Sequence, residues 1–199
     1  MPTVGVVAIQ GDFEKHTEAL LRSGLSRDSI REVRTAGDLE GVDRLIIPGG
    51  ESTTVGMLME RFGLGDAIRT SAEEGMPIWG TCMGMILMAK GVEGRPNQYS
   101  LNLLDIEVRR NAFGAQVHSF EDTVQINEID HPVTGVFIRA PIVSKLGKDA
   151  RSICKYRGSI VAVRQGNRIG TSFHPELTDD DSMHRWFLSL KNDKPRSEG

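Results

Sequence analysis

The chain has only two cysteines, Cys82 and Cys154, in 199 residues. Two cysteines make no disulfide framework, and they fit a reducing, cytoplasmic setting. No apolar stretch reaches the length needed to cross a bilayer. The N-terminal run Met1-Pro2-Thr3-Val4-Gly5-Val6 has neither a basic segment nor a small-residue cleavage site, so no signal peptide is read there. Charge of one sign is also missing. The formal net charge is −3 and no Lys/Arg block occurs, which argues against nucleic acid as a partner. Histidine and cysteine never fall at metal-ligand spacing, so no metal is expected. Internal repeats, low-complexity tracts and interdomain linkers are absent as well.

What remains is an ordinary globular composition, 39% apolar and 26% charged, long enough for one α/β domain with a full core. We expect that domain over residues 1–191, with residues 192–199 a polar, frayed tail. The first half alternates short apolar runs with helical periodicity. Strands are expected at Thr3–Ile9, Ser29–Arg34, Asp43–Ile47 and Pro77–Gly80, and helices at Asp12–Ser23, Thr53–Phe62, Asp66–Glu74 and Met83–Lys90. This rhythm implies a doubly wound, mostly parallel, flavodoxin-like sheet covered on both faces. The second half reads as strands: Leu103–Arg109, Val117–Ile126, Val136–Arg139, Ser152–Tyr156, Ser159–Val163 and Arg168–Phe173. They predict an antiparallel extension of the parallel core. The acidic cluster Asp179-Asp180-Asp181 suits the N-terminus of a closing helix.

Chemistry concentrates in three places. The run Pro77-Ile78-Trp79-Gly80-Thr81-Cys82-Met83-Gly84 carries an apolar strand through Gly-x-Cys-x-Gly into an apolar helix. Such a turn presents one thiol at a sharp strand-to-helix corner, as a nucleophile elbow does. A thiol beside a helix N-terminus or an imidazolium loses its proton more readily, and the amide of Met83 can donate to an oxyanion. A buried structural cysteine is the plainer alternative, and it is the reading that suits Cys154. Far downstream, His174 and Glu176 flank Pro175; on an extended segment they share one face, as a base and the carboxylate that orients it. The other histidines, His16, His118, His131 and His184, have no comparable setting.

The third place is Pro48-Gly49-Gly50-Glu51-Ser52-Thr53-Thr54, directly after a buried strand. Two glycines let backbone amides turn toward an anionic or carbonyl oxygen, at the strand edge where open α/β sheets bind ligands. A helix capped by Ser52 or Thr53 is the plainer reading, and a phosphate loop is disfavoured because the Walker lysine is missing. Arg110 and Arg139 stand at the ends of apolar strands, where a guanidinium can fork onto a carboxylate or form a surface ion pair.

Together these segments resemble class I glutamine amidotransferases and, within them, the glutaminase subunits of two-component pyridoxal 5′-phosphate synthases. Besides the three places above, the resemblance is carried by Gln10-Gly11-Asp12, Arg110-Asn111-Ala112-Phe113-Gly114, Ser119-Phe120-Glu121 and Phe137-Ile138-Arg139-Ala140-Pro141. It implies a Cys82–His174–Glu176 triad that hydrolyses L-glutamine through a thioester. It implies a glutamine site formed by Gly50, Glu51, Ser52, Arg110, Ile138 and Arg139. Backbone amides at Gly50 and Met83 would form the oxyanion hole, and ammonia would pass to a (β/α)-barrel synthase subunit. Met83 stands where that family has alanine, and Ala115 and His118 where it has arginine and aspartate. The alternatives are a glutaminase subunit of another amidotransferase, such as imidazole glycerol phosphate synthase, or a catalytically silent docking subunit.

Overall fold

A computed structural model of the protein describes residues 1–113 and 119–191. The chain opens with β1 (Val4–Val7), α1 (Phe13–Arg22), β2 (Ile30–Val33) and β3 (Arg44–Ile47). It continues through α2 (Ser52–Arg61), α3 (Leu64–Glu73), β4 (Ile78–Thr81) and α4 (Met83–Met88). Eight strands follow almost without a helix: β5 (Ala89–Val92), β6 (Leu104–Arg109), β7 (Ser119–Val124), β8 (Val133–Ile138), β9 (Ile142–Leu146), β10 (Arg151–Tyr156), β11 (Ser159–Gln165) and β12 (Arg168–Thr171). Helix α5 (Ser182–Ser189) closes the described chain.

Ten strands make one sheet. Along it the order is β2-β1-β3-β4-β12-β11-β9-β6-β5, with β10 on β11, while β7 and β8 form a separate hairpin. The first five strands in that order run parallel. Every residue of β1, β3 and β4 is buried, as strands covered on both faces must be. Alternate side chains feed two cores. Leu45, Ile47 and Ile78 face α2, α3 and α4, while Ile46 and Trp79 face α1 and α5. From β1 the chain leaves toward β2, then returns to β3 on the other side. The resulting switch point lies between the C-terminal ends of β1 and β3, where this architecture leaves a crevice.

The expected helix over Met83–Lys90 is shorter. It stops at Met88, and Ala89–Val92 becomes β5, pairing in parallel with β6. The apolar run carries helical periodicity past the point where strand pairing takes over, and Gly91 gives the helix no support there. Strand β9 has no counterpart in the sequence reading. Three of its five residues are exposed, so no alternation marks it. The start of the expected strand Val117–Ile126 lies partly outside the described residues, as do Ala115, His118 and the expected tail over 192–199.

The β7–β8 hairpin is fastened by aromatics. Phe120 and Phe137 stack at 4.7 Å, Tyr156 stacks on both, and Phe113 meets all three edge-on. Phe173 packs on Phe137 and against Gly135, where a Cβ would stand 2.5 Å from its ring. This cluster fixes the end of β8, at Ile138, beside the end of β4.

Candidate active site

Cys82 follows β4 with φ 48° and ψ −101°, a conformation strained for a residue with a side chain. Its neighbours explain how the corner is made. A Cβ on Gly80 would stand 2.5 Å from the Gly84 carbonyl carbon, and one on Gly84 would collide with the Ile47 carbonyl oxygen. Both positions therefore admit only glycine, and both are set by backbone contact rather than by left-handed dihedrals. The Cys82 amide donates to Thr171 O at 2.7 Å, continuing the β4–β12 ladder. The thiol is partly exposed and donates to Ile138 O at 3.8 Å.

The chain leaving β12 reaches His174 three residues later. Its amide donates to Val136 O at 2.8 Å, so the hairpin helps to hold it. Residues Pro175–Leu177 then form a 3₁₀ turn with His174 as its N-cap and Pro175 at the first position. His174 and Glu176 therefore meet because the backbone turns, not because an extended segment puts both on one face. His174 Nδ1 and Glu176 Oε1 lie 2.7 Å apart, both groups buried. Burial by itself would lower the His174 pKa. Hydrogen bonds and charge from Cys82 and Glu176 outweigh it and push the group up to about 11. The imidazolium is thus favoured wherever Cys82 and Glu176 are anionic.

The loop after β3 lies against this pair. A Cβ on Gly49 would stand 2.3 Å from His174 Cε1, so glycine there makes room for the imidazole ring. Gly11, at φ 101°, is bound the same way: a Cβ would strike the Gly49 carbonyl oxygen, which accepts from the Asp12 amide at 3.4 Å. The Glu51 amide donates to Gln10 Oε1 at 3.4 Å. The loops at the switch point thus brace each other.

Glu51, rather than Ser52 or Thr53, caps α2. Its carboxylate accepts from the amides of Thr53 and Thr54, and these bonds pull its pKa down to about 2. Its side chain is therefore engaged before any substrate arrives.

These pieces enclose a cleft of about 580 Å³. Cys82 and His174 open into it beside Gly50, Glu51, Ser52 and Met83. The other wall carries Arg110, Ile138 and Arg139, so all the residues expected to hold substrate face one space. Arg110 Nη1 is buried with no hydrogen-bond partner, and Ser52 Oγ is in the same condition. Unspent polar atoms in a cleft invite a polar ligand. Arg139 holds φ 42° at the rim, just past β8. Met83 is 1% exposed and packs in the core with α2 to α4, its Cε 3.3 Å from where a Gly50 Cβ would be. The larger residue is accommodated by the core and borders the cleft only along one side.

Asp12, His174 and Glu176 bring potential metal-ligand atoms within 4.8 Å of one another. A cation bound there would have to displace the proton shared by His174 and Glu176, so the donor set fits a triad better than a metal site. Behind Glu176 lies a contact that the sequence did not betray. His16 Nε2 is 3.4 Å from Glu176 Oε1, and His16 Nδ1 is 3.0 Å from His184 Nε2. Cys154 is buried on β10, and burial raises its thiol to about 11, as suits an inert core residue.

A thiol facing an imidazole backed by a carboxylate occurs on several unrelated folds. Here it stands at the C-terminal edge of a flavodoxin-like sheet with an antiparallel extension, and that combination is the architecture of class I glutamine amidotransferases. The chain belongs to the SNO glutamine amidotransferase family, which it matches over residues 6–192. It is 48% identical to the pyridoxal 5′-phosphate synthase subunit PdxT of Roseiflexus sp. (strain RS-1), across 94% of this chain and 100% of that one. The subunit of the same name from Thermus thermophilus (strain ATCC BAA-163) is 47% identical, across 94% and 96%. A crystal structure of a glutamine amidotransferase superposes with TM-score 0.88 at 46% identity, covering 94% of this chain and 97% of that one. PurLQS from Thermotoga maritima shares the fold, with TM-score 0.66 at 19% identity and 94% and 97% covered.

Proposed function

We propose that this glutamine amidotransferase hydrolyses L-glutamine at Cys82, His174 and Glu176 and delivers the ammonia to a pyridoxal 5′-phosphate synthase subunit. The observation that carries the reading is the cleft itself. It places an elbow thiol, a carboxylate-backed imidazole and an unpartnered guanidinium around one space of amino-acid size. Arg110 takes the glutamine α-carboxylate, with Arg139 at the rim, while the backbone around Gly50 to Ser52 and at Ile138 aligns the side-chain amide.

In this reading the Cys82 thiolate attacks the γ-carboxamide carbon, and the amides of Gly50 and Met83 hold the oxyanion. The imidazolium of His174 gives its proton to the departing nitrogen, which leaves as ammonia. The imidazole then takes a proton from water, whose oxygen attacks the γ-glutamyl thioester. Collapse of the second tetrahedral intermediate expels the thiolate and releases glutamate. Glu176 keeps His174 in the tautomer that points Nε2 at the thiol. The subunit needs no cofactor of its own.

The partner is a (β/α)-barrel synthase that builds pyridoxal phosphate from sugar phosphates, and the complex works in the cytoplasm. The names of the relatives support this choice over another amidotransferase. The test is ammonia release from glutamine by the subunit alone and with the synthase, and pyridoxal phosphate formation by the pair. Glutamine-dependent ammonia release is expected, and Cys82→Ala is expected to abolish it. Unchanged release in Cys82→Ala would overturn the mechanism, and ammonia release without pyridoxal phosphate formation would overturn the choice of partner.

A further inference from the structure

We propose that His16 and His184 are positioning residues for the glutaminase reaction: a buried pair of neutral imidazoles that gives the Glu176 carboxylate a second hydrogen-bond donor. The inference rests on the triad reading above and extends it by two residues, drawn from α1 and α5.

The geometry limits how the protons can be placed. Both rings are fully buried. His16 Nδ1 faces His184 Nε2 at 3.0 Å, and His16 Nε2 faces Thr81 Oγ1 at 3.2 Å and Glu176 Oε1 at 3.4 Å. His184 Nδ1 has no hydrogen-bond partner. Each neutral ring carries one N–H. If His184 bears it on Nε2, that N–H donates to His16 Nδ1. His16 then carries its own on Nε2 and shares it between Thr81 and the carboxylate. The unpartnered His184 Nδ1 is then only a lone pair. The opposite placement lets the Thr81 hydroxyl donate to His16, but it turns a lone pair of His16 toward the Glu176 carboxylate, which repels it, and leaves the buried His184 N–H without an acceptor. The first arrangement satisfies every ring N–H in the chain His184–His16–Glu176–His174, with the buried Thr81 hydroxyl turned to accept from His16.

Neutrality matters as much as direction. A charged His16 would compete with His174 for the carboxylate. Burial holds both rings neutral, aided by the His174 charge at His16 and by Arg22 at His184, which sits at about 3. The charged groups around the pair are Glu176 and His174 from the turn after β12, Asp12 from the loop after β1, Arg22 at the end of α1, and Asp180 ahead of α5. Trp79 packs edge-on to both imidazoles from β4, at 5.6 and 5.0 Å, and keeps water from the contact. Burial pushes the Glu176 carboxyl up, and a neutral donor works against that shift by favouring the ionised form without cancelling the charge that supports the His174 imidazolium.

The test is glutaminase kinetics of the complex with the synthase subunit, using His16→Leu, which removes the donor, and His16→Gln, which keeps an N–H at the position of Nε2. For His16→Leu we expect kcat to fall about tenfold, the lower end of what loss of a group one shell behind a reacting residue costs. KM should stay within about twofold, because nothing in the glutamine cleft changes. The acid limb of kcat/KM should move up by about half a pH unit or more, since Glu176 then accepts a proton more readily. His16→Gln should restore most of kcat and the native limb. Equal losses in both variants with the pH profile unmoved would show a merely structural role and overturn the proposal. So would a folded His16→Leu with native kinetics.

Histidine ¹⁵N spectra of the unaltered protein decide the point even if His16→Leu does not fold. Two neutral rings protonated at Nε2 are expected over roughly pH 5 to 8. A charged His16, or one protonated at Nδ1, would refute the arrangement. Cys82→Ala, run alongside, separates the readings. Native activity in that variant sinks the triad, whereas an inactive Cys82→Ala beside a fully native His16→Leu sinks only the inference drawn here.

Discussion

Gly49→Ala would add one methyl group to the wall of the triad. Gly49 does not occupy the left-handed region, so the backbone accepts a side chain and the perturbation is purely one of contact. The new Cβ would stand 2.3 Å from His174 Cε1, against about 3.5 Å for an ordinary carbon–carbon contact, so something must move by about 1.2 Å. Little can. The Gly49 carbonyl is fixed by the Asp12 amide and by its contact with Gly11, and His174 is tied to Glu176 and Val136. A misplacement of about 1 Å in a reacting group costs on the order of 100-fold in rate, or about 2.7 kcal/mol of transition-state stabilisation. We therefore expect kcat to fall about 100-fold in an ammonia-release assay of the complex, with the variant folded and KM little changed. Gly24→Ala supplies the contrast. Its φ is 99° and nothing lies within 4 Å of a new Cβ, so it should lose about 1 kcal/mol of stability and no activity. A Gly49→Ala enzyme with native kcat would refute the claim that His174 seats on this glycine.

Three further outcomes follow from particular contacts. If Arg110 anchors the glutamine carboxylate as proposed, Arg110→Met should raise KM for glutamine at least about tenfold with a smaller effect on kcat, since its Nη1 has no other partner; steady-state kinetics read this directly. Phe137→Ala should cost about 3–5 kcal/mol by denaturant unfolding, since the ring is 1% exposed and central to the cluster that holds the hairpin. Glu51 caps α2 with a pKa depressed to about 2, so its stabilisation is complete above the unfolded carboxylate value near 4.5. It is lost as pH falls toward 2. Thermal melts of Glu51→Gln and the native protein should therefore differ at pH 7 and converge near pH 2.

The parallel half of the fold was legible because its signals are local. β1, β3 and β4 are buried on both faces and read as short, nearly continuous apolar runs, and glycines mark the loops that follow them. The antiparallel half was legible only in part. β9 shows no alternation, since its residues Ser144 to Leu146 are exposed, and β5 begins inside the run over Met83–Lys90 that reads as helix. Both strands exist because β6 offers them its two edges, information carried by residues more than a dozen positions away. The choice of Glu51 as cap over Ser52 and Thr53 was equally hidden. Ser52 and Thr53 suit a cap by type and glutamate does not; only the backbone conformation of the loop puts Glu51 at the cap.

For the site, legibility follows the same division. Cys82 could be found because its setting is written in the neighbouring positions, and Gly80 and Gly84 are glycine for reasons that backbone contact makes plain. His174 and Glu176 could be found as a pair because they are two residues apart, though the turn that joins them is a 3₁₀ turn and not the extended segment that their spacing suggested. His16 and His184 could not be found. One sits in an amphipathic helix and the other in the closing helix, 168 positions apart, and each alone looks like a histidine filling a core. A single consideration could have raised them. Imidazole is an awkward group to bury on an apolar helix face, because each ring carries one donor and one acceptor that must be satisfied there. Two such rings on helices that cover the same sheet face are best explained by a shared polar target. Glu176 is the buried carboxylate within reach of His16.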